Sequence, residues 1–125
     1  MLFDTDVLIW VFRGNLSAAR TVESADERAV SVVSYMELLQ GSRNAEETKA
    51  IKAFLSEFDF EVLPLTENIG HRASIYMEEY VLKYGMCVAD ALLAATAVEN
   101  GLVFCTGNAK HYKPVRDLSL KVFRP

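Results

Sequence analysis

The sequence predicts an α/β fold, a three-layer sandwich in which helices cover both faces of a short central parallel sheet. Short apolar runs alternate with helix-periodic segments along the whole length, the sequence form of strand–helix–strand repetition. The stretch Val88 to Val98 is apolar nearly all round and belongs in the middle of the structure. With 125 residues, 51% of them hydrophobic and 24% charged, the chain reads as a single domain, 1–125, that can bury a sizeable core.

The strands fall at about Met1 to Asp4, Ala29 to Val33, Phe60 to Leu63, Leu102 to Thr106 and Lys121 to Phe123. A helix over Thr5 to Phe12 follows the first strand, and another, with Glu37 in its first turn, follows the second. Ile51, Phe54, Leu55 and Phe58 then share one helix face, as do Ile69, Ala73, Tyr76, Met77, Tyr80 and Tyr84 of a longer helix. Asn100 and Gly101 end the buried helix as a C-cap, and Gly14, Gly41, Gly85 and Gly107 mark other breaks. The Met residues and most Phe read as core filler, Trp10 as a packing anchor and His71 as surface.

Composition excludes several classes. Hydrophobicity is too high for disorder, and Val7 to Phe12 and the stretch around Leu92 are too short to span a membrane. Asp4 and Asp6 stand where a signal peptide would be basic, so the expected setting is cytoplasmic. Cys87 and Cys105 cannot cage a metal by themselves and read as buried reduced thiols. The net charge of -4 argues at first against nucleic acid.

The acids fall in a pattern. In an open α/β sheet the ligand site lies beyond the carboxyl ends of the strands. Asp4 ends the first strand, Glu37 begins the helix after the second, and Asp90 opens the buried helix, which runs back antiparallel to the strands. Thr106 and Asn108 follow the fourth strand, so one right-handed winding brings all of them to one rim. Two carboxylates about 5 Å apart repel by on the order of 3 kcal/mol at an effective dielectric of 20, so a cation is expected. Oxygen donors without His or Cys suit Mg²⁺, or Mn²⁺ in its place, and such an ion activates water and polarises a phosphate ester.

Four segments carry a family resemblance. Asp4-Thr5-Asp6-Val7-Leu8, Ser34-Tyr35-Met36-Glu37-Leu38, Tyr84 to Ala97 around Asp90, and Thr106-Gly107-Asn108-Ala109-Lys110-His111-Tyr112 resemble, in order and spacing, the four motifs of PIN domains. The match is closest to the short VapC-like toxins of toxin–antitoxin pairs. That resemblance implies a PIN-like sandwich acting as a Mg²⁺-dependent endoribonuclease that leaves 5′-phosphate and 3′-hydroxyl ends. It makes Asp4 and Asp90 the principal metal ligands and Glu37 and Asn108 further catalytic residues, Asn108 standing where many relatives have Asp. Its implied partners are RNA, an antitoxin wrapping the acidic groove, and a second copy of the chain. The stripes Tyr35 to Leu39 and Ile51 to Phe58 are candidate contact surfaces.

Each residue also has a purely structural use. Ser34 and Glu37 have capping-box spacing, Asp4 can cap the Thr5 helix, and Asp90 can complement a helix dipole. Asp6 reads as a first-turn acid and Asn108 as a turn former. Thr5, Ser34 and Thr106 can support the site through their hydroxyls or bond local backbone. Two other functions fit parts of the pattern. Asp4-x-Asp6 after a strand imitates a haloacid-dehalogenase phosphatase, although Val7 and the lone Asp90 fit it poorly, and a non-catalytic RNA-binding PIN module would keep the fold without the chemistry.

The charge itself is uneven. Residues 1–100 hold sixteen acids and eight bases, whereas residues 101–125 hold five bases against Asp117 alone. Lys110, His111, Lys113 and Arg116, interleaved with Tyr112 and further on Phe123, therefore form a candidate RNA-binding segment beside the fourth motif.

Overall fold

A computed structural model describes residues 1–125. Its five strands are β1 (Leu2–Phe3), β2 (Ala29–Ser31), β3 (Glu61–Leu63), β4 (Phe104–Thr106) and β5 (Leu120–Val122). All pair in parallel, in the spatial order β3-β2-β1-β4-β5. Seven helices connect or flank them: α1 (Thr5–Phe12), α2 (Leu16–Ser24), α3 (Val32–Gln40), α4 (Ala45–Glu57), α5 (Glu67–Tyr84), α6 (Val88–Glu99) and α7 (Ala109–Tyr112). None is long and apolar enough to cross a membrane.

The strands are short, but their period of two divides the interior. Leu2, Ala29, Leu63 and Phe104 join one core with Ile69, Ala73 and Tyr76 of α5 and the alanines of α6. Phe3, Val30 and Cys105, one residue further along each strand, join the other core with Val7 and Leu8 of α1, Val22 of α2, Leu38 of α3, and Ile51 and Leu55 of α4. Continuing the alternation places Asp4 and Thr106 on the α6 side of the sheet, which is what brings them to face that helix. Ala91, Leu93, Ala94, Ala95, Thr96 and Ala97 of α6 are buried, and the small side chains let α6 lie close to both the sheet and α5. Gly101, at φ 63°, ends the helix in the left-handed region where glycine is unstrained, as the sequence predicts.

Some boundaries differ from the expected ones. Strand β2 stops at Ser31, because the buried Ser31 hydroxyl accepts from Val33 N and caps α3. Val32 and Val33 are therefore helical, and Glu37 lies in the second turn of α3 rather than the first. The capping-box reading of Ser34 and Glu37 is corrected accordingly. Cys105 is buried as expected, but Cys87 is exposed at the N-terminus of α6. Trp10 packs against the second core, as a packing anchor should. Of the two stripes that are candidate contact surfaces, Leu38, Ile51 and Leu55 are buried, whereas Met36 is half exposed.

Candidate active site

Strand β1 lies between β2 and β4, so the chain leaves it on one side and returns on the other. Crevices at such reversals, beyond the carboxyl ends of the strands, are where open α/β sheets bind ligands. Asp4 occupies this point. Its backbone N–H donates to Cys105 O at 2.9 Å, extending the β1–β4 ladder by one residue, and its side chain then caps α1. Oδ1 accepts from Thr5 N at 2.7 Å and Oδ2 from Thr106 Oγ1 at 2.7 Å. The Thr106 hydroxyl in turn accepts from Asn108 N at 3.0 Å, so its proton is committed to Asp4. Asp4 is only 6% exposed.

The fourth motif is fastened through Asp6, whose Oδ2 accepts from Gly107 N at 2.9 Å and from Asn108 Nδ2 at 3.4 Å. A Cβ on Gly107 would stand 2.6 Å from that oxygen, so a side chain there would displace either the Asp6 carboxylate or the loop. Asp6 Oδ1 is buried without a hydrogen-bond partner. Asp6 is thus in the first turn of α1, as expected, but its carboxylate serves a loop about a hundred residues away. Asn108 precedes α7 without capping it through its side chain.

Glu37 joins the rim through Thr5. The Thr5 hydroxyl is 2.8 Å from Glu37 Oε1 and 2.7 Å from Ser34 Oγ. A carboxylate only accepts, so the Thr5 hydroxyl donates to Glu37, with the buried Ser34 oxygen as the other acceptor within its reach. Thr5 and Thr106 thus bond acids of the site directly.

Asp90, in the first turn of α6, is held from two sides. Tyr112 OH donates to Oδ1 at 3.0 Å, Cys87 Sγ donates to Oδ2 at 2.9 Å, and His111 Nδ1 stands 3.7 Å from Oδ2. Lys110, His111, Lys113 and Arg116 are exposed. Tyr112 and Phe123, however, are 1% and 4% exposed, so neither ring is available to stack on a base, which corrects that part of the expectation. Sequence reasoning assigned no role to Cys87 beyond a buried thiol. The i, i+3 spacing of Cys87 and Asp90 was the available signal, while nothing local links Tyr112 to Asp90.

The electrostatics follow from burial among like charges. Burial, then the charge of Asp6 and less strongly that of Asp90, pushes the Asp4 carboxyl up to about 7, against the lowering effect of Thr106 and Thr5. Burial also raises Asp6. The Tyr112 hydroxyl is raised by burial and by the charges of Asp4 and Asp90, which keeps it a donor. Every hydrogen bond to Asp4, Asp6 and Asp90 comes from a neutral group, and no Lys or Arg pairs with any of them. No three His, Cys, Asp or Glu side chains close into a complete metal cage. This donor set, few carboxylates with charge left uncompensated, fits a divalent ion that keeps water and substrate oxygens in its shell.

Comparison with known sequences gives the family. The sequence model of the PIN domain matches residues 1–116. The chain belongs to the PIN domain family. Ribonuclease VapC10 of Mycobacterium tuberculosis is 37% identical over 116 residues, 90% of this chain and 85% of that protein. Ribonuclease VapC1 of Methanocaldococcus jannaschii is 26% identical over 125 residues, 98% of this chain and 86% of that one. Among solved structures, a toxin–antitoxin complex from Klebsiella pneumoniae is similar with a TM-score of 0.80 and 26% identity, covering 94% of this chain and 93% of the other. The fold is also that of VapBC2 from Rickettsia felis, solved with a promoter DNA fragment, at a TM-score of 0.82, 20% identity and 98% coverage of each chain. PIN membership displaces the haloacid-dehalogenase alternative.

Proposed function

We propose that this PIN protein is a divalent-metal-dependent endoribonuclease, the toxin of a toxin–antitoxin pair. The observation that carries the reading is the convergence of Asp4 and Asp90 on one rim with neutral donors only. The relatives named as ribonucleases support it. Asp4 and Asp90 are the residues that would hold Mg²⁺ or Mn²⁺, with Glu37 and Asn108 completing the catalytic set. The ion, when bound, would supply the Lewis acidity that activates water and stabilises charge at the phosphate.

The chain's own groups do the positioning. Thr5 N and Thr106 Oγ1 fix the two oxygens of Asp4, and Thr5 Oγ1 aims Glu37. Asp6 holds the Gly107–Asn108 loop against the first motif, keeping the Asn108 amide at the rim. Lys110, His111, Lys113 and Arg116 offer exposed charge to the phosphates flanking the cut. An antitoxin is the proposed protein partner, by likeness to the Klebsiella complex. A groove of about 650 Å³ lined by Ile9, Phe12 and Leu38 and bordered by Glu37 gives such a segment a place beside the acids. The exposed Leu82, Tyr84 and Val88 are available to a second copy of the chain.

The test is incubation of the purified protein with a mixed RNA pool in EDTA, Mg²⁺ or Mn²⁺, followed by mapping of the ends. Cuts with 5′-phosphate and 3′-hydroxyl ends that need the metal, and that disappear in Asp4→Asn, are expected. Absence of metal-dependent cuts would move the assignment to a non-catalytic RNA-binding PIN module.

A further inference from the structure

Tyr112 is the largest fully buried side chain of the protein, and its ring meets Phe104 edge-on with centroids 4.8 Å apart. Packing alone would be served equally by phenylalanine, which needs no partner for a buried hydroxyl. The hydroxyl has a single hydrogen-bond partner, Asp90 Oδ1 at 3.0 Å, across the α6–α7 contact. On the other side of the same carboxylate, the Cys87 thiol donates to Oδ2 at 2.9 Å. One donor on each oxygen fixes both the rotamer and the plane of the group. Both donors are neutral, so they orient the carboxylate without cancelling the charge that a cation would use. A Lys or Arg in either place would hold Asp90 as firmly and compete with the metal. His111 Nδ1, 3.7 Å from Oδ2 and on an exposed side chain, is too far to take over that hold.

We infer that Tyr112 and Cys87 are positioning residues that preset the Asp90 carboxylate for its divalent cation, Tyr112 from the fourth motif and Cys87 from the residue preceding α6. The inference deepens the reading of Asp90 as a metal ligand and rests on it. Hydrogen bonds that orient a ligating carboxylate typically contribute about 10-fold to 100-fold in metal affinity or activity. The two donors differ in strength, the phenol being the better.

The experiment measures Mn²⁺ affinity by the electron paramagnetic resonance signal of the free ion, together with kcat and KM on an RNA oligonucleotide and Tm in EDTA. It compares the wild type with Tyr112→Phe, Cys87→Ala and Cys87→Ser. Tyr112→Phe should weaken Mn²⁺ binding about 10-fold or more. Its kcat should fall at limiting metal and recover at high Mn²⁺, with KM for RNA and Tm in EDTA little changed. Cys87→Ala should show the same pattern at smaller amplitude, and Cys87→Ser, which restores a donor, should return toward wild type. Because Cys87 is exposed, its variants fold whatever Tyr112→Phe does to the core. Wild-type Mn²⁺ affinity in both Tyr112→Phe and Cys87→Ala would overturn this inference alone. A wild type that neither binds Mn²⁺ nor cuts RNA would remove the metal-site reading, and this inference with it.

Discussion

Helix α6 carries an acid at each end, Asp90 in its first turn and Glu99 in its last, and their surroundings differ. Glu99 sits where the helix dipole disfavours negative charge, and Arg72 of α5 pairs with it. The same guanidinium reaches Asp117 at 2.8 Å, and Tyr76 OH donates to Asp117 at 3.0 Å. Asp90 has the favourable end of the dipole, yet it stands on the same rim as Asp4 and receives only neutral donors. The difference teaches how the two ends are held. Arg72 accompanies the acids at the C-terminal end of α6, Glu99 and the nearby Asp117, whereas no Lys or Arg accompanies Asp90.

The sharpest way to break this comparison is to neutralise the open acids. Asp4→Asn and Asp90→Asn should each lower the metal-dependent cleavage rate by at least about 100-fold in a single-turnover assay. An acid that was merely structural would leave the rate near wild type. Stability should move the other way, because the charge at Asp4 works against the fold. Its pKa is raised from 3.8 to about 7, so the folded chain binds this proton more tightly than the unfolded chain does. Its contribution to stability is therefore full below about pH 4, is lost as pH rises toward 7, and is flat above. The swing is on the order of 4 kcal/mol. Denaturant unfolding in EDTA should show Asp4→Asn gaining on the wild type between pH 5 and 8, and parallel pH profiles would contradict the assignment.

A third test adds the missing charge. Mn²⁺ at about a hundred times its dissociation constant should stabilise the wild type by about 2.7 kcal/mol and raise Tm, with no such rise in Asp90→Asn. Gly107→Ala probes the clamp between the motifs, since its Cβ would stand 2.6 Å from Asp6 Oδ2. Displacing the loop should cost about 1–3 kcal/mol, and combining the change with Asp6→Ala should give less than the sum of the two single losses. Least is expected at the far end of α6. Arg72→Ala breaks a partly exposed network and should cost about 1 kcal/mol while leaving RNA cleavage unchanged.

The fold was legible where local chemistry is unambiguous. Short apolar runs between helix-periodic segments sufficed to place each strand, and an acid within the apolar Val88 to Val98 run marked Asp90. Ser31 and Ser34 show the limit. Both are buried serines of a helix-capping type three positions apart, and it is the bond from Val33 N to the Ser31 hydroxyl that makes Ser31 the cap. That choice shifted Glu37 three positions, about four-fifths of a turn, deeper into α3. Tyr112 and Phe123 looked exposed because their neighbours are charged, yet both rings face inward, which depends on contacts far away in the chain. The Tyr112 hydroxyl on Asp90 was illegible for the same reason. No local pattern says that residue 112 will stand over residue 90.

The central position of β1 has a kinetic consequence. The oxygen that orients Asp4 belongs to Thr106, 102 positions later in the chain, and the Asp4 backbone waits for Cys105. Pairing at such separation is the slow part of folding. During synthesis the acids of the first motif therefore leave the ribosome about a hundred residues before the strand that completes their setting, and until Thr106 has emerged the Asp4 carboxylate lacks the donor that fixes its second oxygen.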